Sequence, residues 1–130
     1  MDSRAFKILE KALKGTKLEL RSMSLVGANL QPLIDFLLNK NQLRSISLSY
    51  NPQLGGSGIT ELVHHLPSSI TEIGLVDCGF GDVGATALLD WMKNAPQLRM
   101  ACIEYNNFSS KLQQDFSALR KENPQLVLIT

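Results

Sequence analysis

The stretch LRSISLSYNPQL, residues 43–54, decides how this chain folds, because its hydrophobic spacing returns along the whole sequence. Apolar residues stand at its first, fourth, sixth and twelfth positions, and an asparagine stands at the ninth. The matching copies are Leu20, Met23, Leu25, Ala28, Leu30; Ile70, Ile73, Leu75, Cys78, Phe80; and Leu98, Ala101, Ile103, Asn106, Phe108. With a fifth copy from Leu126, the starts give periods of 23, 27, 28 and 28 residues. Such a period predicts stacked structural repeats.

Each copy changes its hydrophobic period halfway. The first half alternates apolar and polar residues, which predicts a strand with one buried face. In the last complete copy the second half places Leu112, Phe116 and Leu119 at helical spacing. One strand and one helix cannot bury their apolar sides alone, so the units must stack, with parallel strands on a concave face and helices on a convex face.

Capping residues mark the ends of these helices. Ser109 or Ser110 is placed to cap the last helix, and Asp82 is placed to cap the one before it. Pro32 favours the first turn of an earlier helix. The asparagines at the ninth position, Asn51 and Asn106, are expected to hydrogen-bond backbone groups that the turn leaves unpaired.

The segment from Ser47 to Met92 resembles the ribonuclease-inhibitor type of leucine-rich repeat, and the likeness extends over essentially the whole chain. Its glycine pairs, as in Gly81-Asp82-Val83-Gly84, are similar to that family's strand-to-helix junction. The resemblance implies an α/β, right-handed leucine-rich-repeat solenoid. It also implies a non-enzymatic scaffold whose concave face binds a cytosolic protein, such as an inhibited enzyme, a small GTPase or a cytoskeletal or ubiquitin-pathway component.

The expected organisation is a single domain over residues 1–130. Residues 1–19 form an N-terminal capping helix, repeats start near 20, 43, 70 and 98, and a terminal strand covers 126–130. At 44% hydrophobic and 19% charged residues the composition is that of an ordinary globular domain. The formal charge of +1 favours neither nucleic acid nor an anionic membrane as partner.

The cellular location is expected to be cytoplasmic. The first fifteen residues lack the pattern of a secretory signal, and no stretch is long and apolar enough to cross a bilayer. Cys78 and Cys102 are the two cysteines, so no disulfide framework is predicted.

The residues offer little for catalysis, and we expect no enzyme activity, no metal and no cofactor. Glu61 and His65 lie one helical turn apart and could hold a metal, but a solvated helix face explains them better. Cys102 is expected at mid-strand without a neighbouring histidine as base, so an accessible thiol is a better interpretation than a nucleophile.

The repeat assigns residues to exposed columns across the strands. These columns are Arg21, Arg44, Thr71, Arg99; Ser22, Ser45, Glu72, Met100; Ser24, Ser47, Gly74, Cys102; Val26, Ser49, Val76, Glu104; and Gly27, Tyr50, Asp77, Tyr105.

From these columns we expect an interface with a basic edge and an acidic–aromatic edge. The predicted partner-binding residues are the arginines at the strand starts and the tyrosines and acids at the strand ends, namely Arg21, Arg44, Arg99, Tyr50, Tyr105, Asp77 and Glu104. Tyrosine and arginine are enriched among interface residues that carry binding energy. Ordinary solvated tyrosines and arginine stems that cover apolar neighbours are the competing explanation.

Two alternatives to a concave-face binding module stay open. One is a regulator of an enzyme such as a small GTPase, with Arg21, Arg44 or Arg99 entering its active site. The other is a structural or dimerising fragment of a longer array, since the strand that begins at Leu126 presents an uncovered apolar edge. A single copy can also tolerate so short an edge, so a homodimer through the C-terminal strand is one expectation among three.

Overall fold

The computed structural model describes residues 3–130, which form one six-stranded sheet with helices. The strands follow each other across the sheet in chain order. They are β1 (Leu13–Lys14), β2 (Lys17–Glu19), β3 (Ser45–Ser47), β4 (Glu72–Gly74), β5 (Met100–Cys102) and β6 (Val127–Ile129). β1 pairs with β2 as an antiparallel hairpin, and all later pairs are parallel. The expected α/β class with a mainly parallel sheet is confirmed.

A helix or helical turn stands between consecutive parallel strands. The helices are α1 (Ser3–Ala12), α2 (Gln31–Leu37), α3 (Gly55–Val63), α4 (Gly81–Lys93) and α5 (Ser110–Glu122), with a short 3₁₀ turn at Gly27–Asn29. α3 packs against α4, and α4 packs against α5. No helix within residues 3–130 combines the length and apolar character that a bilayer crossing requires.

The core lies between the sheet and the helices. The middle residue of each parallel strand is buried, while its two neighbours are at least partly exposed. These middle residues are Leu18, Ile46, Ile73, Ala101 and Leu128. Because side chains alternate along a strand, the residues on either side of each middle residue share the opposite face of the sheet. We call this surface the open face.

The register of the central strands agrees with the expected columns, but the first strand does not. Ser45 pairs with Glu72 and Glu72 pairs with Met100, as predicted. Lys17, however, takes the position beside Ser45 that was assigned to Ser22. The strand expected from Leu20 therefore begins at Lys17. The N-terminal helix is also shorter than residues 1–19, because it ends at Ala12 and a hairpin follows.

The hairpin explains this displacement. Gly15 has a φ of +61°, a left-handed conformation that favours glycine. This glycine occupies the first position of the frame that the structure uses, where the next three units have Leu43, Ile70 and Leu98. Leu20, Met23 and Leu25 repeat the apolar spacing five residues later, so the hydrophobic pattern alone selected the wrong frame.

Asn51 and Asn106 hold the turns together as predicted. Asn106 is 1% exposed, and its Oδ1 accepts a 2.7 Å hydrogen bond from the Cys78 N–H. Its Nδ2 donates to the carbonyls of Leu75 and Ile103 at 2.8 and 2.9 Å. Asn51 does the same one unit earlier, where Oδ1 accepts from Met23 N–H and Nδ2 donates to Leu20 O. Each asparagine therefore ties its own turn to the preceding strand unit.

One helix cap is confirmed and one is wrong. Ser109 caps α5, with its hydroxyl accepting from Leu112 N–H. Asp82 does not cap α4, because it is the second residue of that helix. Its Oδ1 accepts instead a 2.7 Å hydrogen bond from Ser109 N–H. The carboxylate therefore joins the starts of two neighbouring helices.

Candidate functional site

The candidate site lies where the parallel strands end, on the rim of the open face. Five of the predicted residues come together there, and we call them the strand-end cluster: Arg21, Tyr50, Asp77, Glu104 and Tyr105. Tyr105 is 77% exposed and Tyr50 is 39% exposed, whereas Asp77 and Glu104 are half-buried. Adjacent strands lie about 4.8 Å apart, so the two tyrosines, two strands apart, are separated by roughly 10 Å.

Three residues of this cluster have a left-handed backbone conformation. The φ angles are +63° at Tyr50, +52° at Asp77 and +62° at Tyr105. Two of these residues donate their N–H to the next strand unit, Tyr50 to Val76 O at 2.7 Å and Asp77 to Glu104 O at 3.0 Å. The turn thus needs a left-handed residue here. Glycine adopts this conformation at little cost, while a tyrosine pays about 1 kcal/mol or more.

Arg21 is in the cluster and not at the edge where the predicted frame placed it. Its guanidinium carbon lies 4.6 Å from the centre of the Tyr50 ring, a cation–π arrangement. Its backbone N–H donates to the Glu19 carboxylate at 3.2 Å. The prediction that Arg21 lines the strand starts is therefore wrong. The strand ends carry an arginine together with the tyrosines and acids.

The basic edge at the strand starts contains two arginines. Arg44 and Arg99 are separated by the strand unit of Thr71, whose hydroxyl donates to Arg44 O at 3.2 Å. Arg99 turns back on its own loop and donates from Nη1 to Pro96 O at 2.8 Å. The guanidinium of Arg99 is thus partly engaged by its own backbone.

The side chains at the centre of the open face are small, and contacts within the sheet explain why. Ser47, Gly74 and Cys102 lie side by side on neighbouring strands, as predicted. A Cβ atom on Gly74 would stand 3.0 Å from the Ser47 hydroxyl and 3.2 Å from that of Ser49. The Ser49 hydroxyl in turn accepts from Val76 N–H at 3.1 Å. Gly74 therefore leaves room for serines that organise the sheet.

An apolar patch occupies the far side of the open face, and the columns assigned from the sequence did not include it. Met100 pairs with Val127, and Cys102 pairs with Ile129, which brings four apolar side chains onto two adjacent strands. Val127 is 49% exposed and Ile129 is 43% exposed. The expected frame starts the last unit at Leu126, which places Leu128 beside Met100. The structure places Val127 there, so that frame is wrong by one residue and did not reveal the patch. We call Met100, Cys102, Val127 and Ile129 the apolar patch.

A cavity of about 350 Å³ adjoins the strand-end cluster at Tyr105. Its walls combine the Tyr105 ring with Phe108, and with the polar side chains of Gln113 and Thr130. Such a cavity, half aromatic and half polar, can receive a side chain that carries both an apolar stem and a polar end.

The two thiols are poor nucleophiles. Burial raises the pKa of Cys78 to about 11, and the nearby Asp77 charge acts in the same direction against a hydrogen bond from the Asn51 backbone. The pKa of Cys102 is also raised, first by burial and then by Glu104 and Glu72. Since the thiolate is the reactive form, neither cysteine is activated.

Each histidine side chain forms a hydrogen bond with a backbone carbonyl of α3, four residues earlier in the chain. His64 Nδ1 lies 2.6 Å from Thr60 O, and His65 Nδ1 lies 3.0 Å from Glu61 O, each bonded one turn back. Within residues 3–130, no three His, Cys, Asp or Glu side chains gather as they would around a metal ion. The exposed aromatic side chains of Tyr50 and Tyr105 stand at the strand ends, away from both histidines.

Comparison of the chain with protein-family models and with curated proteins found no match.

Proposed function

We propose that the chain is a right-handed leucine-rich-repeat solenoid of the ribonuclease-inhibitor type. The support is the spacing of its units: paired residues on consecutive parallel strands stand 27 or 28 positions apart, from Lys17 through Val127. The recurring Asn51 and Asn106 bonds support the same proposal, since each ties one unit to the one before it. In this proposal the open face is the concave face.

The proposed activity is non-enzymatic binding of a protein partner on that face. One observation carries the proposal: Tyr105 is 77% exposed and sits at a φ of +62°. Glycine or asparagine adopts this left-handed conformation at a lower conformational cost than tyrosine, so the tyrosine does not stabilise the fold at this position. A strained, exposed aromatic residue is best explained by contacts outside the chain.

The charges and apolar groups define the partner surface. Asp77 lies on the strand unit between those of the two tyrosines, and Glu104 directly precedes Tyr105. We therefore expect the partner to present at least one basic side chain to these carboxylates. Beside them, Met100 and Ile129 offer apolar area to the centre of the interface, which is where binding energy concentrates. The Tyr105 cavity suits the stem and charged end of a lysine or arginine.

The proposal places the protein in the cytoplasm. Both cysteines are free thiols, which suits a reducing compartment. If the partner is an enzyme such as a small GTPase, Arg44 is the arginine for its active site. Arg21 is stacked on Tyr50, and Arg99 is bonded to Pro96.

The test is co-purification from native lysate with a Tyr50→Ala/Tyr105→Ala variant beside the wild-type chain. His65→Ala, an exposed aromatic change on the helical side, is the matched control. We expect the control to retain the partner and the double variant to lose it, with both melting near the wild-type temperature. A partner retained by the double variant would place the binding site elsewhere.

A further inference from the structure

The outer edge of β6 offers backbone groups that no strand of residues 3–130 pairs with. Val127 N–H donates to Arg99 O, and Ile129 O accepts from Ile103 N–H, both toward β5. Backbone groups of successive residues point to opposite sides of a strand. The N–H and C=O of Leu128 therefore point away from the sheet, as do those of Thr130.

Arg120 covers part of this edge. From α5 its Nε donates to Leu128 O at 3.0 Å, and its Nη2 lies 3.4 Å from the Thr130 hydroxyl. The guanidinium thus occupies the side of β6 on which another strand would pair. The Leu128 N–H is left without such a cover.

As an edge strand β6 is protected by its length of three residues and by Arg120, but not by its own side chains. It contains no charged residue and no proline, and its two outer side chains are exposed and β-branched. On either side of Leu128 the strand carries one β-branched apolar residue, Val127 before it and Ile129 after it. In an antiparallel pairing centred there, Val127 faces Ile129 of a second copy, and Ile129 faces its Val127.

We propose that β6 pairs with β6 of a second copy of this chain, antiparallel and centred on Leu128. The Arg120 side chain opposes this pairing, because it binds the Leu128 carbonyl that the second copy would use. Leu128 exchanges two backbone hydrogen bonds with its counterpart, and Thr130 N–H reaches the Leu126 carbonyl of the other copy. Directly opposed β-branched and apolar residues are favourable cross-strand neighbours. The Arg120 guanidinium must leave Leu128 O before these bonds can form.

A second copy fits this edge better than an unrelated peptide. The paired strands match residue for residue, and the two-fold arrangement closes at two copies, as an isologous interface requires. The edge that remains on each copy is β1, at the other end of its sheet. The two apolar patches also become continuous across the axis. This inference does not rest on the proposed partner site, because its readout is self-association of the purified chain alone.

Sedimentation velocity of the 130-residue chain tests the proposal. Arg120→Ala is expected to tighten dimerisation about tenfold, since the competing charge-assisted bond is lost. Lys121→Ala removes the same charge from the neighbouring, exposed position and should leave the mass distribution unchanged. Adding Ile129→Lys to Arg120→Ala should return the chain to monomer, because a lysine then faces the apolar Val127 of the other copy.

Arg120→Met retains the packing of the side-chain stem without its donors and provides a second variant. Hydrogen exchange at the Leu128 amide is the second measurement, because only the dimer protects that group. Self-association equal to wild type in both Arg120 variants overturns the proposal. Association that survives Ile129→Lys, or that leaves the Leu128 amide unprotected, also overturns it.

Discussion

Asn106→Ala is the substitution whose cost follows most directly from the geometry. The amide makes four short bonds: its Oδ1 accepts from Cys78 N–H at 2.7 Å, and its Nδ2 donates to three carbonyls at 2.8 to 3.0 Å. Removing it leaves the Cys78 N–H and the Leu75 carbonyl without their amide partner, at a site that is 1% exposed.

The expected loss is about 2–4 kcal/mol. Each orphaned buried group costs about 1–3 kcal/mol, and a water that enters the vacated space recovers part of the sum. For a chain of 130 residues this corresponds to a fall in melting temperature of roughly 10 °C. Urea unfolding followed by circular dichroism measures the free energy directly.

Two further variants control this measurement. Asn41→Ala makes the same chemical change at an exposed position and should alter the free energy of unfolding by less than about 0.5 kcal/mol. Asn106→Cys reproduces the chemistry of position 78, where the thiol donates to Leu48 O at 3.2 Å, and should lie between alanine and wild type. A loss below 1 kcal/mol for Asn106→Ala would refute the argument that this side chain ties neighbouring units together.

Three shorter predictions concern stability, the helix junction and the strained turn. Folding raises the pKa of the Cys78 thiol from 9.0 to about 11, so the native state favours the protonated thiol. The free energy of unfolding should therefore fall by about 2 kcal/mol as the pH rises from 9 to about 11. Urea unfolding from about pH 8 to about pH 11 should show this fall in the wild type and a smaller one in Cys78→Ala, and an equal fall in both would contradict the assignment. Asp82→Ala should cost about 1 kcal/mol by urea unfolding, because Ser109 N–H loses its acceptor, whereas Asp90→Ala on the same helix should cost little. Tyr105→Gly should leave the melting temperature unchanged or raise it, since relief of the left-handed strain offsets the added freedom of glycine, while partner binding is lost; a clear drop in melting temperature would mean that the tyrosine serves the fold.

The repeat of apolar residues predicted the central part of the fold because packing dominates there. Ile46, Ile73 and Ala101 are buried on adjacent strands in the register that the spacing required. The asparagine bonds were equally predictable, since a buried turn must satisfy its backbone groups with a side chain that both donates and accepts.

The first unit was misplaced because a conformational requirement replaced an apolar residue. Gly15 stands where leucine or isoleucine would have marked the frame, and its positive φ serves the hairpin. The error moved Arg21 from the strand ends, where it stacks on Tyr50, to the strand starts. Local spacing cannot separate two frames when both are rich in leucine and methionine.

The features that sequence reasoning missed are tertiary contacts. The Asp82 carboxylate bonds to Ser109 on the next unit, 27 residues away, and nothing in the local sequence distinguishes this from a helix cap. The Arg120 bond to Leu128 likewise depends on how α5 lies over the last strand. The apolar patch was missed because a frame that starts at Leu126 buries Ile129, whereas the register that pairs Met100 with Val127 buries Leu128.

The central claim is that the strand-end cluster on the open face contacts a protein partner. Site-specific photo-crosslinking tests it most directly, with a benzoylphenylalanine residue placed at position 105 in one chain and at position 65 in another. Irradiation in native lysate should join one protein to the chain labelled at position 105 and none to the chain labelled at position 65. Crosslinks from position 65 alone, or identical products from both positions, would contradict the account.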